Sequence, residues 1–145
     1  MSRQMHYRPI DGQDLFKQFT VECWVMPERI ATTDGQTLIE RSAAYPANSI
    51  DRDRVAIRAN FRIGLDPQGR VYGLFDNPDA IESGSNAPVS CQRVTGPLLE
   101  ANKWYHIALT YNGKRLVLYV NGIVNDAADT SLSPASTRGW ASGSS

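Results

Sequence analysis

The stretch from Asn102 to Gly122, NKWYHIALTYNGKRLVLYVNG, constrains the fold more than any other part of the chain. Tyr105, Ile107, Leu109 and Tyr111 recur at every second position, with Trp104, His106, Ala108 and Thr110 between them. That period is the pleat of a β-strand, whose side chains alternate between two faces. Beyond Asn112-Gly113 the alternation resumes, with Leu116, Leu118 and Val120 set against Arg115, Val117, Tyr119 and Asn121. Asn-Gly is the favoured pair for a tight primed turn. The spacing therefore predicts a hairpin closed at Asn112-Gly113, its loop open to lengthening by Lys114, and ended by Asn121-Gly122.

The same period runs through FTVECWVMP, where Phe19, Val21, Cys23 and Val25 share one face and Thr20, Glu22, Trp24 and Met26 the other. Both faces carry large apolar groups, which predicts a central strand covered on both sides and stopped by Pro27. Thr33-Asp34-Gly35 is a turn signal ahead of a further strand, QTLIERSA. VAIRANFRIGLD and RVYGLFD flank Asp66-Pro67-Gln68-Gly69, a second hairpin: Pro pre-sets φ and Gly supplies the positive φ. Residues 46–54 and 76–88 mix charges with turn formers and are expected to be loops; VSCQRVTG is a weaker strand and PLLEANK a connector. No sustained 3.6-residue period occurs. Short strands with Gly, Pro and Asn punctuation predict an all-β sandwich.

At 145 residues the chain has the length of one domain, able to bury a core without metals or disulfides. Residues 1–140 are assigned to it and 141–145, ASGSS, to a flexible tail. Lys+Arg and Asp+Glu balance at 15 each, so no global field draws the chain to nucleic acid. No apolar run approaches bilayer length, and the start lacks the pattern of a signal peptide. Cys23 and Cys91 form no Cys-x-x-Cys pair and are expected to be reduced, Cys23 as a small core residue.

In order along the chain, FTVECWVMP, LIERS, FRIGLDPQGRVYGLF and LEANKWYHIALTYNGKRLVLYVNG resemble the strands of laminin-G-like domains. These belong to the concanavalin-A-like lectin/glucanase superfamily of antiparallel jelly-roll sandwiches. The family pattern is Phe-Thr-(Val/Ile)-Glu-x-Trp early, then Trp-x-His-(Val/Ile)-Ala, then a strand ending in (Asn/Asp)-Gly. The family's usual first and last strands have no evident counterpart: only MSRQMHYRP precedes the first match, and nothing after Trp140 resembles a closing strand. A sandwich reduced in this way would expose a sheet edge, open to pairing with other chains. The resemblance implies a non-catalytic binding or adhesion module of an extracellular or surface protein, holding carbohydrate or protein ligands through rim loops 46–54, 76–88 and 123–130. An assembly role through the open edge and a degenerate glycoside hydrolase are the alternatives.

Several glucanases of this superfamily carry Glu-x-Asp-x-x-Glu, two carboxylates flanking the scissile bond. The nearest match is Asn77-Pro78-Asp79-Ala80-Ile81-Glu82, whose leading Asn cannot serve as nucleophile or acid. The family also implies Ca²⁺ at one rim, a hard cation needing several oxygen ligands. Asp76, Asn77, Asp79, Asn125 and Asp126 are the candidate ligands. Sugar recognition calls for exposed aromatics with polar neighbours. Trp24, Tyr72, Trp104 and Tyr119 are expected along one concave face, with Arg58 and Arg62 on one strand face for acidic groups. Core packing is the competing role for the aromatics, and a solvated sheet face for the arginines. His106 is expected to be a packed, hydrogen-bonded sheet residue, and His6 carries no signal.

Overall fold

The computed structural model describes residues 3–7, 18–30, 32–46, 55–77 and 91–134. They form β1 (Arg3–Tyr7), β2 (Phe19–Val25), β3 (Gln36–Pro46), β4 (Val55–Leu65), β5 (Arg70–Asp76), β6 (Cys91–Leu98), β7 (Tyr105–Tyr111), β8 (Arg115–Val120) and β9 (Ile123–Asp129). A five-stranded sheet runs β1-β2-β7-β8-β9 and a four-stranded sheet runs β3-β4-β5-β6. Every pairing is antiparallel. The chain is the β-sandwich that its alternating periods predict.

The inward residues follow those periods. Val21, Cys23 and Val25 from β2 meet Ile107, Leu109 and Tyr111 from β7 and Leu116 and Leu118 from β8 on one side of the core. Phe61, Ile63, Leu65, Val71, Phe75 and Val94 supply the other side. Aromatic rings bridge the sheets: Phe19 lies 5.7 Å from Phe61, and Phe75 5.0 Å from Tyr111. Gly73 lets the layers approach, because a Cβ there would stand 2.5 Å from a Leu109 methyl. Cys23 is a buried thiol of this core and Cys91 an exposed one, and neither is in a disulfide.

The Asp66–Gly69 hairpin forms as expected. Gly69 N–H donates to the Asp66 carbonyl at 2.9 Å, and the Asp66 carboxylate accepts from Gln68 and Arg70 N–H at the same distance. The weak strand around Cys91 is real, and its Pro97 is tolerated because β6 lies at a sheet edge.

Four expectations change. A strand, β1, does precede Phe19, and it pairs with β2 in the register Arg3↔Val25 to Tyr7↔Val21. Its five residues offer only Met5 and Tyr7 as an alternating apolar pair, too short a pattern to mark a strand. Residues 123–129 are a strand rather than a rim loop, although IVNDAAD is rich in residues that strands disfavour. The tight primed turn sits at Asn121-Gly122 instead of Asn112-Gly113. Asn121 (φ 52) and Gly122 (φ 78) both have the positive φ that a primed Asn-Gly turn requires, whereas only Gly113 (φ 98) does in the earlier loop. There the Asn112 side-chain oxygen accepts from Lys114 and Arg115 N–H, which widens the loop. Finally, β2 is central in its sheet but covered on one side only, since Trp24 is 45% exposed. Residues 47–54, 78–88 and 141–145 of the expected loops and tail lie outside the described residues.

Candidate functional site

Exposed Trp24 leads to the outer face of the five-stranded sheet. Alternation turns Thr20, Glu22 and Trp24 outward on β2, and the register places Trp24 opposite His106 and Glu22 opposite Ala108. Tyr119 of β8 sits beside Ala108, and Val124 of β9 beside Tyr119. One band of this face therefore crosses four strands.

The Trp24 and His106 rings lie 5.0 Å apart at 55°, a tilted aromatic pair. The His106 Nε2 is 3.4 Å from a Glu22 carboxylate oxygen. The β8–β9 turn is pinned to the same spot: His106 N–H donates to Asn121 Oδ1 at 2.9 Å, and Asn121 N–H donates to the His106 carbonyl at 2.7 Å. Trp24, His106, Asn121 and Gly122 line an open depression of about 480 Å³. With Oδ1 committed to the backbone, the amide nitrogen is the side-chain group of Asn121 left able to donate, and Asn121 lines the depression. Glu22, 40% exposed along its side chain, supplies an acceptor at the rim. An aromatic face with a donor and an acceptor beside it suits a hydroxylated ring.

The other expected ligand residues sit elsewhere. Arg58 and Arg62 belong to β4 and Tyr72 to β5, strands of the four-stranded sheet. Trp24, Tyr72, Trp104 and Tyr119 therefore do not share one face, because β5 pairs into the opposite layer. Arg62 donates to Glu40 at 2.6 Å, and the Arg93 guanidinium sits 4.3 Å over the Tyr72 ring. Burial raises the Glu40 carboxyl, but hydrogen bonds from Arg62 and Ser42 and the charge of Arg62 outweigh it, so its pKa is lowered overall. The hydrogen bond that Arg62 donates to Glu40 is in turn the main cause holding the Arg62 pKa up. Arg62 and Tyr72 are engaged within the sheet.

The candidate calcium ligands are not brought together. An Asp76 oxygen accepts from Ala59 N–H at 2.7 Å and closes the β4–β5 ladder beyond its last paired residues. The Asp126 carboxylate accepts from Thr95 N–H and Ala127 N–H, each at 2.9 Å. Asp76 pairs with Cys91, four residues along β6 from Thr95 and so on the order of 13 Å away by strand rise. Asn125 donates to the Ile123 carbonyl, Asn77 is buried, and Asp79 lies outside the described residues. Among the described residues no group of three or more His, Cys, Asp or Glu is placed to hold a metal ion. Asp76 and Asp126 fit structural duty and do not fit a shared calcium shell.

His106, Asn121, Gly122 and Glu22 are the residues that sequence reasoning left out of the site. A signal was present: the outward sets Thr-Glu-Trp and Trp-His-Ala face the same side once β2 and β7 pair.

Two antiparallel sheets closing over one aromatic-bridged core define an antiparallel β-sandwich. The Laminin_G_3 family model, described as concanavalin A-like lectin/glucanases superfamily, matches residues 6–145, and the chain belongs to that family. A search of the curated proteins gives no match.

Proposed function

We propose that this protein is a non-catalytic carbohydrate-binding module of an extracellular or surface protein, and that the sugar docks on the outer face of the five-stranded sheet. The observation that carries the reading is Trp24, 45% exposed beside His106 over a depression also lined by Asn121 and Gly122. A half-exposed indole on a rigid strand presents an apolar face to the C–H side of a pyranose. Asn121 and Glu22 then meet the hydroxyls. Tyr119 extends the same face.

The test is binding of neutral glycans to wild type and Trp24→Ala, by calorimetry and by the change in indole fluorescence. Wild type binds a neutral glycan, and Trp24→Ala weakens it by at least about tenfold, equivalent to about 1.4 kcal/mol. Equal affinity in the two proteins, or no glycan bound by wild type, would sink the reading.

A further inference from the structure

Trp104 stands immediately before β7 and is 47% exposed, as open to solvent as Trp24. Tyr105 after it packs against the core, and its hydroxyl accepts from Glu100 N–H at 2.9 Å. Alternation then places Trp104 on the outer face, one pleat from His106. Resting on the reading above, we infer that Trp104 is a second stacking position, and that the site takes a neutral oligosaccharide of at least two sugar units.

The geometry matches successive rings of one chain. Positions 104 and 106 are about 7 Å apart along β7, and Trp24, opposite His106, is the diagonal neighbour of position 104 at about 7–8 Å. That separation is wider than one pyranose ring, so the two positions would meet different units of one chain. His106 stands opposite Trp24 and one pleat from Trp104, and the Asn121-Gly122 turn sits beside it as the polar wall.

Charge selects the ligand class. Along this band Glu22 lies 3.4 Å from His106, and in the turn before β7 Lys103 is paired with Glu100. No excess of cations faces the platform among the described residues, so a sulfated or uronic chain gains nothing here and meets the Glu22 carboxylate. A neutral chain loses nothing.

The experiment measures affinities of wild type, Trp24→Ala, Trp104→Ala and Trp104→Phe for mono-, di-, tri- and tetrasaccharides of neutral hexoses and N-acetylhexosamines, with sulfated and uronic oligosaccharides alongside. Thermal melts check that each variant is folded. Wild type gains affinity from mono- to disaccharide. Trp104→Ala removes that gain, a loss on the order of tenfold for one ring-stacking contact, and leaves monosaccharide binding unchanged. Trp104→Phe restores part of it, and Trp24→Ala weakens every length. Glycan binding that ignores Trp104, or that does not grow with length, overturns the second position while leaving the Trp24 reading in place. Tighter binding of the acidic chains overturns the neutral class. Failure of wild type to bind any sugar overturns both readings together.

Discussion

The Asp126 carboxylate on β9 accepts a hydrogen bond from the backbone N–H of Thr95 on β6 at 2.9 Å, joining the edge strands of the two sheets. β9 is the last strand of one sheet and β6 the last of the other, so this bond closes one side of the sandwich. The side chain that looked like a cation ligand caps an edge N–H group, which is one way a sheet edge is shielded from pairing with another chain.

Asp126→Ala is therefore a stability variant. The change removes the acceptors of both Thr95 N–H and Ala127 N–H, and loss of these two partly solvated, charge-assisted hydrogen bonds costs about 1–2 kcal/mol, a fall in Tm of about 3–6 °C for a domain of this size. Melts in calcium chloride and in chelator should show the same fall. A calcium-induced rise in wild-type Tm that Asp126→Ala abolishes would return Asp126 to metal binding.

The Asn121-Gly122 turn separates folding from binding. A Cβ on Gly122 would meet nothing within 4 Å, but its φ of +78 disfavours any L side chain. Gly122→Ala should thus cost about 1–2 kcal/mol from backbone strain alone. Asn121→Gly keeps a residue suited to positive φ and removes the side chain that bonds His106 N–H and faces the depression. Its Tm should fall less than that of Gly122→Ala while glycan affinity falls more. The opposite order, read by melts and titrations on the two variants, would detach Asn121 from the site.

Periodicity told which side of a strand each residue faces, but not which strand lies beside which. Trp24, Glu22 and His106 were separated from their inward neighbours, although the Trp24 face was expected to be covered, and their meeting depends on β2 pairing with β7 across a long separation in sequence. Tyr72 shows the converse: its period matched Trp24, and its sheet did not. The two Asn-Gly pairs differ through their neighbours. Asn112 spends its side-chain oxygen on two N–H groups and leaves a wider loop, whereas Asn121 reaches His106 and leaves a two-residue turn. β1 and β9 were hidden because strands at or near sheet edges need less apolar surface than central ones. The core residues were legible because burial demands a strict alternation.

Glu40 and Arg62 make stability depend on acid in a defined direction. The Glu40 pKa is lowered in the folded protein by the net of burial, which opposes, and the Arg62 and Ser42 bonds, which prevail. A carboxyl with a depressed folded pKa stabilises above its unfolded value of about 4.3 and loses that contribution as pH falls through the folded value. Wild type should exceed Glu40→Gln by no more than about 1 kcal/mol at neutral pH, because both partners are partly solvated. The gap should narrow in acid. Denaturant titrations between about pH 7 and pH 3 that run parallel for the two proteins would remove this pair from the acid response.

Gly73 and Leu109 couple the two layers. A methyl at position 73 would stand 2.5 Å from one Leu109 terminal carbon and 3.1 Å from the other, and Leu109 is fully buried. Gly73→Ala overpacks the core there and should cost about 1–3 kcal/mol. Leu109→Val retracts the blocking atoms and opens a small space at its own cost of about 1 kcal/mol. Combined, the two should destabilise less than the sum of the single changes, with a coupling of at least about 0.5 kcal/mol. Chemical denaturation of all four proteins measures the cycle. Strict additivity would mean that β5 relaxes away from the five-stranded sheet at little cost, and the close approach at Gly73 would then not set the spacing of the sandwich.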